Sequence, residues 1–245
     1  MPTNQRQAGF YILKSFKVRP MFGNKANSNS NHIELSKVIV NWSLEESMGS
    51  PFISGSAIIH ESDNLLEDIP LRGEELIELT YEDFYGKTST QNFFLYAIEN
   101  ISPESSVNDR MQKYTIKFTT KQKLFSDTKE IRRSFDKQTI SKIAKIVYDD
   151  YFITGDKESD KEIEIEETDG DQSLVIPSLK PDAAMHFLSR RAYSSENKTS
   201  SFRFFETREK YYFCTYEYLV NKYGGFEGKS KEELNPLFFI YNTLD

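Results

Sequence analysis

Val40-Asn41-Trp42-Ser43-Leu44-Glu45-Glu46-Ser47, followed after a short break by Phe52-Ile53-Ser54-Gly55-Ser56-Ala57-Ile58-Ile59-His60, decides how the chain is read. In the first segment Val40, Trp42 and Leu44 alternate with polar residues, the period of a strand with one buried face. Just upstream, Ile33 and Leu35 carry the opposite phase, and the phase changes before Val38. Side chains alternate strictly along a strand, so such a switch predicts a bulge or bend near Lys37 within one long strand. Phe52 to His60 is a second strand, with Gly55 at its centre.

Outward from this pair the first half continues as β. Phe10 to Val18, Leu76 to Phe84 and Gln91 to Ile101 are strand-like runs, separated by segments that contain Pro70, Gly73 and Gly86. Pro20 to Asn31, rich in Asn, Ser and Gly, reads as a loop. Tyr114, Ile116 and Phe118 alternate with Lys and Thr, a strand with one wet face, whereas Phe93 to Ile98 has no wet face and is expected to be covered on both sides. Several strands at short spacing predict a barrel or sandwich.

After Thr120 the pattern changes. Lys121 to Glu130 reads as a short helix. Ile140, Ile143, Ala144, Val147 and Tyr151 fall on one helical face, with Asp136 as the expected N-cap. Pro181 and Asp182 open a further helix whose apolar face is Ala184, Phe187 and Leu188. Phe202 to Glu206 and Tyr211 to Thr215 are aromatic strands around the charged turn Arg208-Glu209-Lys210, and Gly224-Gly225 reads as the stop of the last helix. The expected fold is mainly β with α+β: a β domain over 1–120 and an α+β domain over 121–245.

Composition removes several classes of function. A formal charge of −7 argues against a protein whose main task is gripping nucleic acid. The 19 Phe and 14 Tyr are too many for a disordered chain. The single cysteine, Cys214, excludes an internal disulfide and reads as a small buried hydrophobe. His32, His60 and His186 are scattered, which disfavours Ser/His and Cys/His catalysis and histidine metal sites. The apolar runs Phe93 to Ile98 and Leu237 to Tyr241 are far shorter than the ~20 residues that span a bilayer, and the N-terminus has no apolar signal core. Synthesis and folding in a cytoplasm follow, with no membrane in the mature fold.

The remaining clusters have ordinary readings. Asp156 to Asp171 lacks the ligand spacing of a calcium loop and reads as a solvated turn after an edge strand. Glu45-Glu46, Glu74-Glu75 and Glu166-Glu167 are neighbours on strands, so they point apart rather than across a cleft and read as solvated. Lys121, Lys123, Lys129, Arg132 and Arg133 form a basic cluster at the domain junction, a solvated face or an interface for an acidic partner. No catalytic, cofactor or metal constellation emerges.

In addition to these readings, Val40 to Ser47 and Phe52 to Ile59 resemble the opening of the hub proteins of contractile injection machines. That family comprises the baseplate hubs of T-even-type phages, late-control tail proteins and the hub half of secretion-system spike proteins. The likeness continues through the acidic turn Asp63-Asn64-Leu65-Leu66 and through Pro70-Leu71-Arg72-Gly73-Glu74-Glu75-Leu76-Ile77. It then takes in the helix Ala183 to Ala192 and the hairpin Phe202 to Glu206 with Tyr211 to Leu219, in family order. It implies a tail-tube-like β-barrel followed by the α+β domain, with the family's second barrel absent after Asp245, as in a chain missing its C-terminal part. It implies a non-enzymatic structural subunit of a virion baseplate, made in the host cytoplasm. Its partners would be its own copies in a homotrimeric ring, a central spike protein, and tail-tube or adaptor proteins, with DNA only passing through the lumen. Glu78, Glu82 and Asp83 are the expected lumen-facing residues, and Lys121, Lys123, Arg132 and Arg133 the expected interface. The competing readings are the hub of a bacterial contractile secretion apparatus, a tail-associated cell-wall hydrolase, and a carbohydrate-binding β module.

Overall fold

The computed structural model describes residues 11–19, 32–62, 73, 75–83, 86–103, 111–155 and 160–223. Asp63 to Leu66, Gly224-Gly225 and Leu237 to Tyr241 therefore lie outside the described residues. The chain is mainly β, and among the described residues the helices all follow Thr120. It divides into two compact units. Of the described residues, one unit takes those up to Glu45 and Ser54–Thr120, the other Glu46–Ile53 and Lys121 to Tyr223.

The first unit is one antiparallel sheet of β1 (Ile12–Arg19), β2 (Ile33–Glu34), β3 (Ile39–Glu45), β4 (Ser54–Glu61), β5 (Leu76–Glu82), β6 (Thr88–Pro103) and β7 (Gln112–Thr119). The strand order is β2-β1-β5-β6-β7-β4-β3. Period-2 alternation produces its core face: Phe16, Ile77, Leu79, Phe93, Ile116 and Phe118 are all buried. The sheet curls. Trp42 of β3, at one end of the order, lies 5.7 Å from the ring of Tyr81 in β5 and 6.5 Å from that of Tyr11, which precedes β1. The chain between β2 and β3 spans the remaining gap. Leu35 N donates to Phe16 O of β1 (2.8 Å), and Val38 O accepts from His60 N of β4 (2.9 Å). The curled sheet is thus filled by its own side chains.

Two expectations for this unit are corrected. The phase switch is a turn at Ser36 to Val38 that separates β2 from β3, rather than a bulge inside one long strand. A register shift does follow, between Ile39 and Asn41. Phe93 to Ile98 is not covered on both sides. The register shifts between Leu95 and Ala97, and Tyr96 is left 45% exposed on the polar side of the sheet. Gly55 has a steric reason: a Cβ there would stand 2.4 Å from the Phe118 ring and 2.7 Å from Ser43 O.

The second unit contains α1 (Lys121–Thr128), β8 (Ile131–Gln138), α2 (Ile140–Tyr151), β9 (Ile163–Ile165), β10 (Gln172–Leu179), α3 (Pro181–Ser189), β11 (Arg203–Glu206), β12 (Tyr211–Cys214) and α4 (Tyr216–Tyr223). β8 pairs with β10, and β12 lies between β11 and a parallel β9. The inward stripe of α2 is Ile140, Ile143, Ala144 and Val147. Its N-cap is Thr139. Asp136 instead belongs to β8 and accepts from Ser173 Oγ at 2.5 Å. β8 has only Ile131 and Phe135 buried, and β10 contains Pro177, so neither shows strand alternation in the sequence. The three-stranded sheet is covered on both faces. Phe204, Tyr211 and Phe213 join the core of α2 and α3, while Phe205, Tyr212 and Cys214 pack with Leu219 of α4.

Candidate functional site

The chemistry-bearing groups of the second unit gather around β9, whose Ile-Glu-Ile-Glu pattern sends residues alternately to two faces. Ile163 and Ile165 enter the main core. Glu164 takes the other face, where it accepts from Lys210 Nζ (2.5 Å), Lys222 Nζ (2.7 Å), Tyr218 Oη (3.1 Å) and Tyr223 Oη (3.0 Å). Burial by itself would raise its pKa. The hydrogen bonds from Lys210, Lys222 and Tyr223 outweigh burial and hold the carboxyl at about 2.

Glu166 is 2% exposed. One carboxylate oxygen accepts from Ser194 Oγ (2.5 Å) and Asn197 Nδ2 (2.9 Å), the other from Thr215 N (2.6 Å) and Thr215 Oγ1 (2.8 Å). Thr215 Oγ1 also accepts from Tyr218 N at 3.1 Å and so caps α4. In the family-like stretch Phe213 to Leu219, Thr215 thus joins the buried carboxylate to the helix, and Leu219 closes the second apolar cluster.

Glu206 is likewise buried. It accepts from Lys161 Nζ (2.7 Å) and from Ile53 N (3.0 Å). Glu46 accepts from Arg208 N and Nε, each at 3.2 Å. Burial pushes the Glu46 carboxyl above its ordinary value in spite of Arg208. A carboxylate that works as base or nucleophile needs an oxygen turned toward a reacting atom. The oxygens of Glu164, Glu166, Glu206 and Glu46 are turned to protein donors, an arrangement that holds strands and a helix together. Solvated readings of Glu46, Glu75 and Glu166 are therefore corrected. Glu75 is 3% exposed and accepts from Gly73 N at 2.9 Å, and Glu46 and Glu166 are held as just described. The missed signal was a glutamate set among apolar or aromatic residues, as in Ile163 to Glu166 and Phe204 to Glu206.

Glu78 and Glu82 share the polar face of β5. Each pairs with a lysine of β1, Glu78 with Lys17 (2.9 Å) and Glu82 with Lys14 (2.7 Å). Asp83 starts the following hairpin loop and accepts from Lys87 N at 2.9 Å. In the basic cluster Lys123 pairs with Asp127 (2.9 Å) and Arg133 with Asp150 (2.8 Å). Lys121 lies 5.9 Å from the Phe125 ring, and Arg132 is exposed on β8. Cys214 is buried, and burial pushes its thiol pKa up. Among the described residues, no group of three or more His, Cys, Asp or Glu is placed to hold a metal ion. Among them too, no helix is long and apolar enough to cross a membrane.

No family model matches the chain, and no curated protein matches it. Solved structures do. The 43 kDa tail protein of prophage MuSo2 from Shewanella oneidensis is 12% identical with a TM-score of 0.46, over 82% of this chain and 54% of that one. A tail protein from Neisseria meningitidis MC58 is 9% identical with a TM-score of 0.49, over 84% and 52%. The Francisella PdpA-VgrG complex, half-lidded, is matched at 13% identity and a TM-score of 0.45, over 88% and 34%. The match spans about a third to a half of the length of these chains.

Proposed function

We propose that this chain is a structural, non-enzymatic subunit of a baseplate hub in a contractile tail, acting as a ring that joins the tail tube to a central spike. The observation that carries this reading is β3. It bears the hub-like stretch from Val40 and ends the strand order of the curled sheet. It pairs with β4 on one side and, among the described residues, with no strand on the other, and Val40 stands 66% exposed. An edge strand of this length presents backbone donors and acceptors, and closing such edges between copies is what a ring accomplishes. β2, at the opposite end, is only two residues long and offers little to pair.

In this reading the polar face of β5 with Glu78, Glu82 and Asp83 lines the lumen that DNA passes. The pairing of Glu78 with Lys17 and of Glu82 with Lys14 makes that face a mixed-charge surface rather than a purely acidic one. Lys121, Lys123, Arg132 and Arg133 form the surface for an adaptor or tube protein, and the assembled ring is trimeric and located in the virion tail. The test is the mass in solution, alone and with a spike protein. A trimer, formed alone or on addition of the spike, supports the proposal. A stable monomer that hydrolyses peptidoglycan overturns it. A reconstruction with Glu78, Glu82 and Asp83 turned away from the channel removes the lumen assignment.

A further inference from the structure

The connection between β3 and β4 belongs to the second unit, although both strands belong to the first. This eight-residue loop is held in the second unit at both ends and in its middle. Glu46 accepts from Arg208 N and Nε. Met48 packs on the cluster of Phe205, Tyr212 and Leu219. Phe52 is 4% exposed and stacks on Phe152 with ring centroids 6.2 Å apart. Ile53 N donates to Glu206, whose other oxygen accepts from Lys161. Lys161 Nζ also donates to Thr207 O at 2.8 Å, which ties the acceptor to its own turn. Within the loop Ser50 N donates to Ser47 O (3.1 Å), and Ser50 Oγ donates to Phe52 O (2.8 Å).

A hairpin connection normally runs over the surface and is the easiest part of a β-hairpin to open. Here it has two charge-assisted anchors and a buried aromatic. We propose that Glu46 to Ile53 is a mechanical clasp: a loop of the β3–β4 hairpin gripped by the second unit, so that tension passes at Glu45–Glu46 and Ile53–Ser54 as well as at Thr120–Lys121. The clasp makes the two units open together. It stands on the loop's own bonds and does not depend on the hub reading.

The test uses the full chain with Glu206→Gln combined with Arg208→Ala. Gln at 206 replaces one of the two accepting oxygens by an NH2 and removes the negative charge, so Lys161 and Ile53 N no longer each have an oxygen of their own there. Arg208→Ala removes the ionic partner of Glu46 and its Nε bond, leaving Glu46 only the bond from the backbone N of residue 208. The wild-type chain is expected to unfold in one calorimetric transition. In the double variant, amide exchange of residues 47–53 is expected to rise about tenfold with β5 and β6 unchanged, since exchange reports the local opening equilibrium, and the transition is expected to split in two. Wild-type exchange at 47–53 in the double variant, a single unsplit transition there, or two separate transitions in the wild-type chain each overturn the proposal. Should the double variant not fold, Arg208→Ala alone, whose side chain is partly exposed, gives the same readout at smaller amplitude.

Discussion

The seven-stranded sheet and the three-stranded β11–β12–β9 sheet place charge in opposite ways. In the larger sheet one face is apolar and the other is wet, and its ion pairs, such as Lys17–Glu78, lie on the wet face. In the smaller sheet both faces are covered, and carboxylates lie inside, each with its own donors. The lesson concerns what each charge does. A pair on a wet face trades water for a partner at little net gain. A buried carboxylate cannot lose its donors without leaving either a naked charge or orphaned N–H and O–H groups.

The largest effect expected from this contrast is at Glu166. Glu166→Leu orphans the donors of Ser194, Asn197 and Thr215, and should cost about 3–5 kcal/mol in urea unfolding of the second unit. A cost below ~1 kcal/mol would break the comparison.

Glu164 comes next and sets a pH window. Its carboxyl is lowered from 4.5 to about 2 in the folded chain, so the folded state binds the proton more weakly than the unfolded state. Its contribution is fully present above about 4.5 and is lost as pH falls toward about 2. A shift of this size is worth at most about 3 kcal/mol, and less where water screens the partly exposed Lys210 and Lys222, and acid titration of Glu164→Gln should lack that part of the loss. An equal acid loss in the variant would remove Glu164 as its source.

In the larger sheet the sensitive position is steric. Gly55→Ala should cost about 2 kcal/mol, because the Phe118 ring can shift but Ser43 O is backbone. Thermal unfolding of the variant checks this, and an unchanged midpoint would mean that β3 and β4 separate freely. The smallest effect is expected from Lys17→Ala, within ~0.5 kcal/mol by the same measurement. A loss several times larger would show that the wet face is as demanding as the buried one.

Much of the fold was legible because its signal is local. The alternation of Tyr114, Ile116 and Phe118 marks β7, and the 3.6-residue spacing from Ile140 to Val147 marks α2. β8 and β10 were not legible, since two buried residues in eight and an internal proline carry no period. Asp136 failed as the cap of α2 because β8 runs on to Gln138 and leaves Thr139 at the helix start. The buried glutamates read as solvated for a related reason. Glu166 finds its donors 28 to 49 residues further along the chain, and Glu206 accepts from Ile53, 153 residues away.

What the sequence determined by itself is therefore periodicity and exclusion: strands before Thr120, helices mixed with aromatic strands after it, one cysteine, scattered histidines and an acid excess. What only the tertiary structure decided is which polar groups are inside. Burial of a charge depends on donors brought together across the chain, and no local pattern encodes their meeting. The same reason explains the loop from Glu46 to Ile53. In the sequence Phe52 and Ile53 read as the start of the second strand, and only the packing of Phe52 and the bonds to Glu206 and Arg208 make them and the residues before them part of the second unit.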